Sequence, residues 1–92
     1  MVNKRSINEF CNSIYQRMKT EADTWEEYGN TAYFLQGDDT VMAITNDKER
    51  VEITVKGAPL ELLVLSFMKN SHIEPDELEF TEGLGFYHYK II

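Results

Sequence analysis

The sequence predicts an α+β domain in which two helices pack on an antiparallel sheet, in the order α-β-β-β-α-β-β. Three features of the chain lead there. Near the N-terminus, apolar residues recur in steps of three and four. Between residues 31 and 56, runs of β-branched and aromatic residues alternate with turn chemistry. Behind Pro59 a mostly apolar run is followed by two further β-rich runs around Gly83-Leu84-Gly85. Runs of helix and strand that are segregated in this way make an α+β fold rather than alternating βαβ units.

The first helix is expected over about Ile7 to Tyr28. Ser6 and Glu9 form S-x-x-E, the pattern of a capping box. Ile7, Phe10, Cys11, Ile14, Met18, Ala22 and Trp25 then follow at the spacing of one helical face. Gly29 is the expected stop. At 1.5 Å per residue such a helix is roughly 30 Å long.

Three strands are expected next. "TAYFLQ" and "TVMAIT" flank Gly37-Asp38-Asp39, and Asn46-Asp47-Lys48-Glu49 is a second turn. In "RVEITVK", Val51, Ile53 and Val55 alternate with Glu52 and Thr54. This is the pattern of an antiparallel meander with one wet face. Gly57-Ala58-Pro59 breaks the sheet, and Pro59 suits the first turn of a helix. "PLELLVLSFMKN" has the length and flanks of a buried helix, although periodicity alone does not separate it from a strand. Asn70 is its expected stop. Pro75 breaks any continuation. "ELEFT" and "FYHYKII" then pair as a hairpin across Gly83-Leu84-Gly85.

Ninety-two residues make one domain, and 42% apolar content supports one core. A chain of this size buries roughly 60–65% of its unfolded surface, which leaves little room for a deep cleft and weighs against an enzyme. The single cysteine, Cys11, excludes an intrachain disulfide and points to a reducing compartment. "MVNKRSINEF" has basic residues without an apolar segment behind them, so no signal peptide is expected there. No apolar run approaches the roughly 20 residues that span a bilayer. A cytoplasmic protein is the expectation.

The net charge is -7. It argues against binding nucleic acid through its phosphates and against binding an anionic membrane, and favours a basic protein partner. Charge order is more informative than the total. Thr20 to Asp47 holds seven acids and no lysine or arginine, and Asn70 to Tyr89 holds five acids and again none. Twelve of the sixteen acids thus lie in two blocks that exclude all nine basic residues. Clustered like charges weaken a fold, so such a surface is a candidate for a field used in recognition. The competing explanation is a row of solvated carboxylates.

Spacing sharpens the candidate. On the expected helix, Asp23 and Glu27 stand four apart, about 5–6 Å between Cβ atoms. On a strand, Glu77 and Glu79 stand about 6.7 Å apart. Successive phosphates on one DNA strand rise about 3.4 Å along the axis, with a sideways offset that lengthens their separation. Carboxylates at these intervals can occupy the place of phosphates before the lysines and arginines of a DNA-binding protein.

In its short acidic single-domain character, its lone cysteine and its blocks "EADTWEEY" and "EPDELEFTE", the chain resembles the anti-restriction nuclease family of T-even phages, small acidic DNA mimics. The resemblance implies inhibition of a modification-dependent restriction endonuclease of the host. It also implies dimerisation, and competition with DNA for other host DNA-binding proteins, a nucleoid-associated protein among them. The candidate partner-binding residues are Glu21, Asp23, Glu26, Glu27, Asp38, Asp39, Glu74, Asp76, Glu77, Glu79 and Glu82. Folding is expected to join the two blocks into one negative ridge, with the basic residues largely off it.

Other signals are weak. Gly83-Leu84-Gly85 lacks the Gly-Lys-Ser/Thr of a phosphate loop. Asp38-Asp39 lacks EF-hand spacing. His72 and His88 lack a zinc context, and Cys11 lies on the apolar stripe of the first helix. No cofactor and no metal are expected. Trp25 beside Asp23, Glu26 and Glu27 is either a core contact or an anchor for a protein partner. The apolar face of the second helix serves either the core or a homodimer contact. Two further function classes stand beside the DNA mimic. One is an acidic module of the immunity or antitoxin kind that neutralises a basic protein. The other, ranked last, is a small acid/base enzyme built on paired carboxylates.

Overall fold

The computed structural model of the protein describes residues 4–47 and 50–91, with Lys4 described by its backbone alone. Helix α1 (Lys4–Glu21) leads into strands β1 (Thr24–Tyr28), β2 (Thr31–Gln36), β3 (Asp39–Asn46) and β4 (Val51–Lys56). Helix α2 (Ala58–Asn70) and a single 3-10 turn at Pro75–Glu77 precede β5 (Leu78–Gly83) and β6 (Phe86–Ile91). The strands form one antiparallel sheet in the order β1-β2-β3-β4-β6-β5. Both helices lie on one face, which is the expected α+β architecture with one strand more. Among the described residues, no helix is long and apolar enough to cross a membrane.

The extra strand comes from the end of the expected first helix. The helix stops at Glu21, and Thr24–Tyr28 is extended and exposed throughout. Gly29, expected as a helix stop, lies in the turn that joins β1 to β2. The start moves as well. Ser6 is already inside α1, and Glu9 pairs with Arg5 one turn back at 3.3 Å rather than closing a capping box. Lys48 and Glu49 of the second expected turn lie outside the described residues. So do Met1–Asn3 of the opening stretch and Ile92 of the last strand. The described part of that second turn is held by Asp47, whose Oδ1 accepts the Arg50 N–H at 2.8 Å.

The core lies between the helices and the sheet. Phe10, Cys11, Ile14 and Met18 of α1 and Val64 and Met68 of α2 bury against Ala32, Phe34, Met42, Ile44, Val51, Ile53, Val55, Tyr89 and Ile91. The alternation read in β4 is the observed one, with Val51, Ile53 and Val55 buried and Glu52 and Thr54 between them half-buried. Helix α1 covers the β1–β2 half of the sheet: Tyr15 meets Phe34, and Lys19 sits 4.7 Å above the Trp25 ring. Helix α2 covers the β4–β6 half, where Tyr89 Oη donates to Glu61 Oε2 at 2.6 Å. Among the described residues, no helix covers the other face of the sheet.

Helix α2 ends in a Schellman motif. The Ile73 N–H reaches back to Met68 O and the His72 N–H to Lys69 O. His72 takes the left-handed conformation (φ 58) that the motif needs, and Ile73 is buried beside Met68. This turn points the chain outward past β6, so that β5 becomes the far edge of the sheet.

Candidate acidic partner-binding surface

Strand order decides where the acids go. Glu26 and Glu27 sit on β1, with Asp23 just before it and Asp38 and Asp39 at the adjoining β2–β3 turn. Glu79 and Glu82 sit on β5, and Glu74, Asp76 and Glu77 on the segment leading into it. Strands β1 and β5 are the two opposite edges of the sheet. Five inter-strand steps of about 4.8 Å separate them by roughly 24 Å. The two blocks therefore form two flanks, and the single continuous ridge expected from the sequence does not form. The crossover that carries α2, together with the insertion of β6 beside β4, keeps them apart.

On the first flank, most acids have local duties. Glu21 Oε1 pairs with Arg17 Nε at 2.6 Å. Asp23 Oδ2 accepts the Gly37 N–H at 2.8 Å, which ties the start of β1 to the β2–β3 turn. Glu26 accepts from Tyr28 Oη at 3.2 Å, and its charge raises the tyrosine pKa. Asp39 lies 3.5 Å from Lys56 Nζ. Because β1 is extended, Asp23 and Glu27 stand roughly 13 Å apart rather than one helical turn. Glu26 and Glu27 point to opposite faces: Glu26 faces Tyr33 on the open face, and Glu27 faces Ala32 on the helix side.

On the second flank, Glu77 Oε1 accepts the Glu74 N–H at 3.0 Å and steadies the turn into β5. Asp76, Glu79 and Glu82 are exposed. Glu79 lies across from Lys90, and Glu82 across from Tyr87. Four exposed acids on each flank have no ion-pair partner among the described residues: Asp23, Glu26, Glu27 and Asp38 on one, Glu74, Asp76, Glu79 and Glu82 on the other. The basic groups are not all remote. Arg17 and Lys56 pair with candidate acids, Lys19 covers Trp25, and Lys90 neighbours Glu79.

Edge carboxylates also have an ordinary task. An edge strand exposes unpaired N–H and C=O groups, and charges there discourage pairing with another chain. Glu26, Glu27, Glu79 and Glu82 stand where that protection is needed.

The open face holds an arrangement not read from the sequence. His88 Nε2 lies 3.1 Å from Glu52 Oε1, and His88 Nδ1 lies 2.8 Å from Thr54 Oγ1. Thr54 and His88 are cross-strand partners on β4 and β6, so strand pairing rather than chain spacing brings them together. Carboxylate, imidazole and hydroxyl in series resemble a nucleophilic triad. However, β4 is a central strand whose N–H groups serve its two ladders. No backbone N–H beside Thr54 is left for a developing oxyanion. Glu52 is also shared with Arg50 at 2.9 Å. The arrangement reads as a cross-strand polar network.

The remaining signals have structural places. Cys11 is buried, and burial pushes its thiol up to about 11. His72 caps α2. Trp25 is neither core nor free: it is 43% exposed, with Lys19 over its ring. Among the described residues, no group of three or more His, Cys, Asp or Glu side chains is placed to hold a metal ion. No family model, curated protein or solved structure matches this chain.

Proposed function

We propose that the protein is a non-catalytic DNA mimic acting in the host cytoplasm. In this reading each acidic flank of the sheet stands in for one row of phosphates before a basic DNA-binding protein. The observation that carries the reading is the four exposed carboxylates on each flank that have no ion-pair partner among the described residues. The sheet is roughly 24 Å wide, about twice the major-groove opening of about 12 Å. The flanks thus correspond to the two outer sides of a duplex held in a clasping cleft, not to the two lips of one groove.

The family resemblance selects the first target, a modification-dependent restriction endonuclease. A nucleoid-associated protein is the second. The test is cleavage of modified DNA by such a purified endonuclease while the protein is titrated in. Inhibition should be relieved by added uncut duplex and should weaken steeply with salt, because each contact replaces a phosphate contact. Inhibition that is indifferent to both would instead favour the acidic module that neutralises a basic protein through a dry contact. Exposed Leu62, Phe80, Leu84 and Phe86 give that second reading its material.

A further inference from the structure

The sheet is incompletely covered at its β5 edge. Helix α2 packs over β4 and β6, and beyond it a cavity of about 230 Å³ opens between the helix and the start of β5. Leu65, Met68, Ile73 and Leu78 give it apolar walls, and Lys69 and Glu74 stand at its margin. Leu62, 64% exposed, lies one turn before Leu65 on the same stripe of α2. Phe80 projects from β5 on that same side, stacked on Tyr87 and tilted against Tyr89, yet 47% exposed. Apolar surface therefore reaches the edge strand, and that strand has one ladder of backbone groups unused.

We infer that the β5 edge is a docking site for an extended basic segment of a partner protein, which adds to the sheet as a seventh strand. Its side chains would alternate. Apolar ones enter the cavity and cover Phe80 under α2, and lysines or arginines on the other face meet Glu79. Charge selects this occupant over a second copy of the chain. Pairing two β5 strands would crowd Glu79 and Glu82 of each into one six-residue ladder, and opposed like charges destabilise a strand pair. The inference rests on the proposed function in one respect, that the partner is basic.

The probe is a capped heptapeptide of alternating lysine and valine, added to the isotopically labelled full-length protein. The expected result is shifted amide resonances and slowed amide exchange in residues 78–83. The same peptide N-methylated at every residue keeps its charge but has no N–H to donate to the ladder, and should bind at least about tenfold more weakly for want of several hydrogen bonds. A glutamate–valine counterpart should leave β5 unperturbed. Equal affinity of the methylated peptide, or perturbation confined to Thr24–Tyr28, overturns the inference. So does protection of β5 that grows with protein concentration in the absence of peptide. Because the probe contains no nuclease, DNA-competed inhibition without β5 protection would sink this inference and leave the proposed function standing.

Discussion

Leu84 is fully exposed at the tip of the β5–β6 hairpin, with a left-handed backbone (φ 56) followed by Gly85 (φ 79). Two positive φ values suit a tight hairpin, but leucine pays for the first with a clash of its Cβ. Leu84→Gly, or Leu84→Asn, should raise stability by about 0.5–1 kcal/mol in urea denaturation, since the side chain has no packing to lose. Phe34 is the opposite case, fully buried between α1 and the sheet. Phe34→Ala should cost about 3–5 kcal/mol in the same measurement. Cys11 provides a pH test. Its thiol is held up to about 11 by burial, so it stays neutral in the fold while the unfolded chain ionises first. The associated stability, about 2–3 kcal/mol, is intact below about pH 9 and is lost as pH rises toward 11. Tyr15 and Tyr89, both raised chiefly by burial, extend the loss to higher pH. Urea midpoints measured from pH 7 to 11 should fall in the wild type and fall less in Cys11→Ala, relative to each protein's own value at pH 7. A thiol that reacts with iodoacetamide in the native protein at neutral pH would contradict its burial.

At the scale of elements, the strands with one buried face were legible because alternation reports burial. Val51, Ile53 and Val55 are the clearest case. Helix α2 was legible from its proline start and its length, and it ends at Asn70 as expected. Strand β1 was not legible. Its five residues are exposed on both faces, so "TWEEY" has no apolar alternation to read. Trp25 also falls in phase with the stripe of α1 by its three-residue step from Ala22, although in the fold it lies on β1, on the helix side of the sheet under Lys19. Just past the helix end Asp23 is tied to the sheet by tertiary contacts: its N–H donates to Leu35 O at 2.9 Å, and its carboxylate holds the Gly37 N–H, fourteen residues on in the chain. Asp23→Ala should therefore cost about 1 kcal/mol in urea denaturation and speed amide exchange at Gly37 and the start of β1. Gly37 itself sits at φ 61, where alanine would be strained by a comparable amount.

Over the whole molecule, the identity of the acidic residues was legible and their arrangement was not. Which carboxylates are exposed follows from turn chemistry, which leaves marks in the sequence, and from edge position, which does not. Whether two blocks meet depends on strand order. The β4–α2 crossover places β6, not β5, against β4, and nothing within either block encodes that choice. The outcome is one row of charge at each edge, facing away from the other. Like charges clustered on an edge repel, so removing them should not harm the fold. Two sets of substitutions separate the flanks: Glu26→Gln, Glu27→Gln and Asp38→Asn on one, Asp76→Asn, Glu79→Gln and Glu82→Gln on the other. Each set should leave the urea midpoint unchanged or slightly raised at low salt. The most direct measurement is the inhibition of a modification-dependent restriction endonuclease by the wild type, each flank variant and their combination. A DNA mimic with two acidic flanks should lose part of its inhibition with either flank and nearly all of it with both. Full inhibition by a folded combined variant would contradict that function.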